Sequence, residues 1–155
     1  MHLADILTVQ CIQPRMAATD KESAIAEMVD MVDAAGKLLD RDAMLTATLE
    51  RESTRTTGIG NGLAIPHGKC PAVKELVMAM GKPAQPLEFN SIDGKPVDII
   101  IFLASPPEKT GPHIQALAQI SRLMTDPAFC DALAAAQTAD EMLSLISEGE
   151  RNLAQ

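Results

Sequence analysis

The sequence contains no tryptophan and no tyrosine, and only three phenylalanines. It therefore lacks aromatic platforms on which nucleic-acid bases could stack. A formal charge of −8 adds repulsion from phosphate backbones and anionic membrane surfaces. Nucleic acid is not an expected partner. Long hydrophobic runs are also missing: none approaches the ~18 residues that span a bilayer. The amino terminus, "MHLADILTVQ", has neither a basic start nor an extended apolar stretch. The chain reads as cytoplasmic and not membrane-embedded. Cysteine is sparse, and Cys11, Cys70 and Cys130 are odd in number and widely dispersed, which suits free thiols in a reducing compartment better than a disulfide framework.

What the chain does have is apolar side chain, 46% of its 155 residues, enough to cover one core. A single domain over residues 1–150 with a short tail at 151–155 is expected. "TVQCI", from Thr8 to Ile12, is a short strand candidate. "TDKE", from Thr19 to Glu22, reads as a capping box, after which Ile25, Met28, Val29 and Val32 recur at helical spacing until Gly36. A second helix is expected from about Asp40 to Glu52, and a strand over Lys74–Lys82. "QPLEFNSIDGKPV" suggests a short strand and a turn at Asp93-Gly94. "VDIIIFLAS", from Val97 to Ser105, is the strongest strand signal, and its unbroken apolar run implies burial on both faces. Downstream, "HIQALAQISRLM" predicts a helix with Ile114, Leu117, Ile120 and Met124 on one face. Two more helices follow, over about Pro127–Ala136 and from a capping box at Thr138–Glu141 to Ser147, with fraying after Glu148. Strands interleaved with helices give an α/β layered domain with a mixed sheet.

Charge is unevenly distributed. Between Arg51 and Lys74 there are four basic residues (Arg51, Arg55, Lys69, Lys74) against one acid, Glu52, a local charge of +3 in an acidic protein. The same segment holds "TGIGNGLAIPHGK", from Thr57 to Lys69, with four glycines and His67. It is not a dinucleotide fingerprint, because position 63 is leucine and Pro66 opposes the helix that should follow. It is not a phosphate loop either: the glycine spacing before Gly68-Lys69 is wrong and Lys69 is followed by Cys70. His67-x-x-Cys70 has zinc-ligand spacing, yet no recognisable second pair accompanies it. Spacing alone leaves His67 open between an ordinary loop side chain and a catalyst.

His113 stands above the expected apolar face of its helix. Thr110 could cap that helix and Pro112 suits its first position, which would put His113 in a first turn whose N–H groups and dipole favour an anion. That turn follows the carboxyl end of the best strand, where open α/β sheets gather ligands. If "LAI" before His67 runs parallel in the same sheet, both histidines and the basic loop converge on one rim. A histidine packed at the core edge is the other reading of His113.

"RESTRTTGIGNGLAIPHGK", "LEFNSIDGKPVDIIIFLASPP" and "HIQALAQISRLM" together resemble the enzyme IIA component of the phosphoenolpyruvate-dependent phosphotransferase system, in its fructose/mannitol and nitrogen-regulatory class. The resemblance runs from about Leu7 to Ile146. "GNGLAIPHGK" most resembles the nitrogen-regulatory branch. The resemblance implies a single-domain three-layer α/β/α sandwich with a mixed central sheet. It implies that His67 accepts a phosphoryl group, on Nε2, from a histidine phosphocarrier protein, with His113 and Arg51 as the other active-site residues and with no cofactor or metal. Arg55 departs from the small residue expected there. Downstream, regulatory targets or a separate IIB protein of a sugar-uptake system are implied, and a binding module that has lost catalysis is the third possibility. An imidazole attacks phosphorus through an unprotonated nitrogen, and its ordinary pKa near ~6.5 leaves it substantially neutral at cellular pH.

Overall fold

A computed structural model describes residues 2–153 of the chain. Its elements, in order, are helix α1 (Leu3–Ile6), a 3-10 turn (Val9–Cys11), strand β1 (Ile12–Met16), helices α2 (Lys21–Ala34) and α3 (Arg41–Thr54), strands β2 (Gly58–Gly60), β3 (Leu63–Ala64), β4 (His67–Lys69), β5 (Val77–Pro83) and β6 (Ile99–Ser105), and helices α4 (Thr110–Met124), α5 (Pro127–Ala135) and α6 (Ala139–Leu153).

The sheet is mixed, in the order β1-β5-β6-β3-β2, with β4 also paired to β6. β6 is central, and all seven of its residues are buried. It pairs antiparallel with β5 and parallel with β3 and β4. Both of its faces are covered. α2 and α3 pack together against one, while α1, α4, α5 and α6 form the other layer, giving the three-layer α/β/α sandwich.

The helices begin where the side chains can satisfy orphan N–H groups. Asp20 caps α2: its carboxylate accepts from the Ser23 N–H at 2.8 Å while the Ser23 hydroxyl donates back toward the Asp20 backbone. The expected box thus sits one residue later than Thr19–Glu22. α2 buries Ala24, Ile25, Met28, Val29 and Val32 and stops at Gly36, whose φ of +75° suits glycine. Asp40 caps α3 and Asp126 caps α5. Thr138 accepts the Glu141 N–H at 3.1 Å where a capping box was expected.

Four expectations are corrected. Val9–Cys11 form a 3-10 turn, and the first strand starts only at Ile12. That strand contains Pro14, tolerable because β1 is an edge strand bonded only to β5. The segment around Phe89 contributes a single bridge, Leu87 to Val97, rather than a strand, although the turn before Gly94 is present. α6 continues to Leu153 instead of fraying after Glu148. The fourth concerns α4, which starts two residues before the expected Pro112: Lys109 occupies the cap, Thr110 is its first residue, and Pro112 still falls in the first turn, where no N–H is needed. Its buried face is His113, Ala116, Ile120 and Leu123, and Ile114 is 58% exposed. Apolar residues extend far enough around this helix for either rotation. The small Ala116, fully buried, marks the side the fold selects.

Candidate functional site

β2 and β3 form a hairpin around Asn61-Gly62, both with positive φ (57° and 80°), the turn chemistry a tight hairpin requires. The chain then passes through Ile65-Pro66 into β4. β4 lies parallel to the end of β6, with His67 opposite Leu103, Gly68 opposite Ala104 and Lys69 opposite Ser105. Alternation along a strand sends neighbouring side chains to opposite faces. His67, Lys69 and Ser105 therefore point toward α4, and Gly68 toward α3. A Cβ on Gly68 would come within 2.5 Å of the Thr48 hydroxyl and 2.6 Å of the Met44 sulfur, so this glycine lets α3 lie directly on β4.

The two histidines meet at the carboxyl ends of β4 and β6. Their ring centroids are 5.1 Å apart with an interplanar angle of 67°, an edge-on contact. His67 is half-buried, and its Nδ1 lies 3.1 Å from the Ile65 carbonyl oxygen. A carbonyl can only accept, so Nδ1 carries the proton and the neutral ring keeps its lone pair on Nε2. Burial is the main cause holding His67 below the usual imidazole pKa, and the charges of Arg51 and Lys69 act the same way, against the Ile65 hydrogen bond and Glu52. The unprotonated ring is thus favoured at neutral pH.

His113 is buried, 5% exposed, and its Nδ1 is 3.1 Å from the Ser105 hydroxyl. Burial, followed by the neighbouring His67 and Lys69, pushes its pKa down to about 4. Its own N–H is already used, bonded to the Lys109 carbonyl at 3.1 Å, so the free donors expected beside it belong to the residues just before it. α4 has no side-chain cap.

Arg51, at the last turn of α3, donates from Nη1 to the Arg55 carbonyl at 3.0 Å. The other guanidinium N–H groups find no protein acceptor among the described residues, which leaves them available to an anion. Lys69 reaches across to the Thr110 hydroxyl at 3.2 Å. Next to Arg51, Glu52 is 7% exposed. Its carboxylate accepts from the Thr57 N–H at 2.8 Å and hydroxyl at 2.5 Å and pairs with Lys21 at 2.9 Å. Lys21 in turn donates to the Phe89 carbonyl at 3.2 Å.

The structure thus brings His67 and His113 into contact and places Arg51 where its charge acts on His67. Ser105, Glu52 and Thr57 escape a reading of the sequence for chemistry, though two signals were present. Ser105 is the one hydroxyl ending an otherwise apolar strand, and Glu52 is the one acid in a basic stretch. Cys70 lies beyond β4, three residues from His67. No cluster of three or more His, Cys, Asp or Glu side chains able to hold a metal ion occurs among the described residues. No helix there is long and apolar enough to cross a membrane.

Comparison with known proteins places this geometry. Residues 5–149 match the family described as phosphoenolpyruvate-dependent sugar phosphotransferase system, EIIA 2. The fructose-specific EIIABC component of Bacillus subtilis is 33% identical over 97% of this chain, which spans only 24% of that longer relative. A nitrogen regulatory protein of Bradyrhizobium diazoefficiens is 31% identical, covering 95% of each chain. The crystal structure of nitrogen regulatory protein IIA-Ntr from Neisseria meningitidis superimposes with a TM-score of 0.86 at 26% identity, over 93% of this chain and 98% of that one. With fold, rim and nearly full-length sequence in agreement, the chain belongs to the EIIA type 2 family of the phosphoenolpyruvate-dependent sugar phosphotransferase system and is a phosphoryl-carrying phosphotransferase.

Proposed function

We propose that His67 is the phosphoryl acceptor and that the protein serves a nitrogen-regulatory phosphotransferase system, taking its phosphoryl group from a histidine phosphocarrier protein. The observation that carries this reading is the hydrogen bond from His67 Nδ1 to the Ile65 carbonyl, which leaves Nε2 as the nucleophile on a half-buried ring beside a cationic rim. Nε2 attacks phosphorus in line with the P–N bond of the donor phosphohistidine. The new P–N bond forms on His67, the donor bond breaks, and its electron pair returns to the donor imidazole.

The transferring group spreads charge over three equatorial oxygens, so the protein's work is positioning and electrostatic support. Arg51 supplies unspent N–H groups, and Lys69 and the uncapped start of α4 add positive potential. His113 stays neutral, and in the tautomer whose Nδ1 accepts from the Ser105 hydroxyl, Nε2–H is a donor toward a phosphoryl oxygen. The "GNGLAIPHGK" resemblance and the fold likeness to IIA-Ntr support the regulatory role.

The test is incubation with phosphoenolpyruvate, enzyme I and phosphocarrier. One acid-labile phosphoryl group should appear on the wild type and none on His67→Ala; a labelled variant refutes the assignment. The fructose-specific relative favours a second reading, sugar uptake through a separate IIB protein. Rapid transfer from the labelled protein to a fructose-type IIB would select it.

A further inference from the structure

A continuous chain of contacts links the buried Glu52 carboxylate to the His67 ring. Lys21, on α2, pairs with Glu52, on α3, at 2.9 Å. Glu52 grips residue 57 twice, through its N–H and its hydroxyl. The Thr57 carbonyl accepts the Ile65 N–H at 3.0 Å. The Ile65 carbonyl then accepts Nδ1–H of His67 at 3.1 Å. Every link is a hydrogen bond or ion pair, and the last one fixes both ring orientation and tautomer. We propose that Glu52 is a positioning residue for phosphoryl transfer, holding the His67 ring with Nε2 aimed outward through Thr57 and Ile65.

Two features separate this from mere packing. Residues 55–57 join a helix end to a three-residue strand, and the Glu52 grip is the contact that ties Thr57 back to α3, beside the Ile65 N–H on its carbonyl and the Thr56 hydroxyl bond to the Phe89 carbonyl. Glu52 is also the one acid that acts on the ring, opposing Arg51 on the same helix and Lys69 on β4, while His113 faces it from α4. Its negative charge stabilises the imidazolium form. Removing that charge should lower the ring's titration midpoint, and loosening the grip should slow transfer at every pH.

The proposal rests on His67 being the acceptor, so the test reads the ring independently of labelling. In the unphosphorylated protein, nitrogen NMR of His67 reports tautomer and titration midpoint. Glu52→Gln should move the midpoint to lower pH and mix the two neutral tautomers. Relay labelling should fall on the order of tenfold or more, as misplacement of a nucleophile does. Thr57→Val keeps the charge but loses the hydroxyl contact, so it should slow labelling with the midpoint unmoved. Because Glu52→Gln leaves Lys21 unpaired, the double variant Lys21→Met/Glu52→Gln, which removes both charges, guards against misfolding and should show the same tautomer mixing. A folded Glu52 variant with wild-type tautomer and labelling rate overturns the proposal. Wild-type protein that labels elsewhere than His67 overturns the function reading, whatever the NMR shows.

Discussion

Two buried glutamates use the same device in the two helical layers of the sandwich. Glu150, 7% exposed on α6, accepts the Leu3 and Ala4 N–H groups at 2.5 and 3.1 Å and so pins the first turn of α1. Glu52 grips Thr57 through an N–H and a hydroxyl in much the same way. Losing a buried carboxylate that accepts several donors strands those donors without partners. The difference lies in what each held segment carries. Glu150 holds a helix that packs on α4, α6 and β5. Glu52 holds a segment hydrogen-bonded onward to a ring with an unspent nitrogen. The same local interaction is therefore remote from the candidate site in one region and linked to it in the other.

The comparison can be broken or sharpened experimentally. The largest effect belongs to His67→Ala, which should abolish relay labelling, as measured by acid-labile phosphate, with the urea unfolding midpoint little changed. His113→Ala should slow labelling by about a hundredfold to a thousandfold, the usual range for one transition-state donor; an unchanged rate would reduce this ring to packing. Glu150→Gln should cost roughly 1–3 kcal/mol in urea denaturation and leave labelling at the wild-type rate. Should it instead slow labelling as Glu52→Gln is expected to, the contrast between the two carboxylates dissolves.

The mildest test is pH. In the unfolded chain His113 takes its proton near pH ~6.5, whereas the folded ring, buried first of all and then opposed by His67 and Lys69, resists until about 4. The folded state is fully favoured by this group above the unfolded value. Stability then falls as pH drops through that window, by about 3 kcal/mol at most, and the contribution levels off below the folded value. Denaturation of His113→Gln at pH 7 and 4.5 should show a shallower loss than the wild type.

Much of the fold was legible because local signals agreed with the tertiary arrangement. The caps at Asp40 and Thr138, the stop at Gly36 and the apolar run of β6 each stand near where pattern alone puts them. Legibility failed where several local answers were equally cheap. α4 could turn either Ile114 or Ala116 inward, and its apolar residues did not decide which. Pro14 and the polar Gln13 and Arg15 disguised β1, since an edge strand tolerates what a central strand rejects. Of the candidate site, the family resemblance pointed to His67, His113 and Arg51, while spacing alone left the two histidines open. Ser105, Glu52 and Thr57 did not stand out, because a hydroxyl or carboxylate reveals its role only through the partner it faces.

By itself the sequence determined which groups were available: one histidine after Ala-Ile-Pro, a second before an amphipathic helix, an arginine at the end of another, and enough apolar residues to bury a central strand. Only the tertiary structure decided that the two rings touch and that a distant lysine on α2 anchors the Glu52 carboxylate. The reason is that these relations arise from β4 pairing in parallel with β6 and from helices packing across the sheet. Such contacts join residues far apart in the chain, and no local preference encodes them.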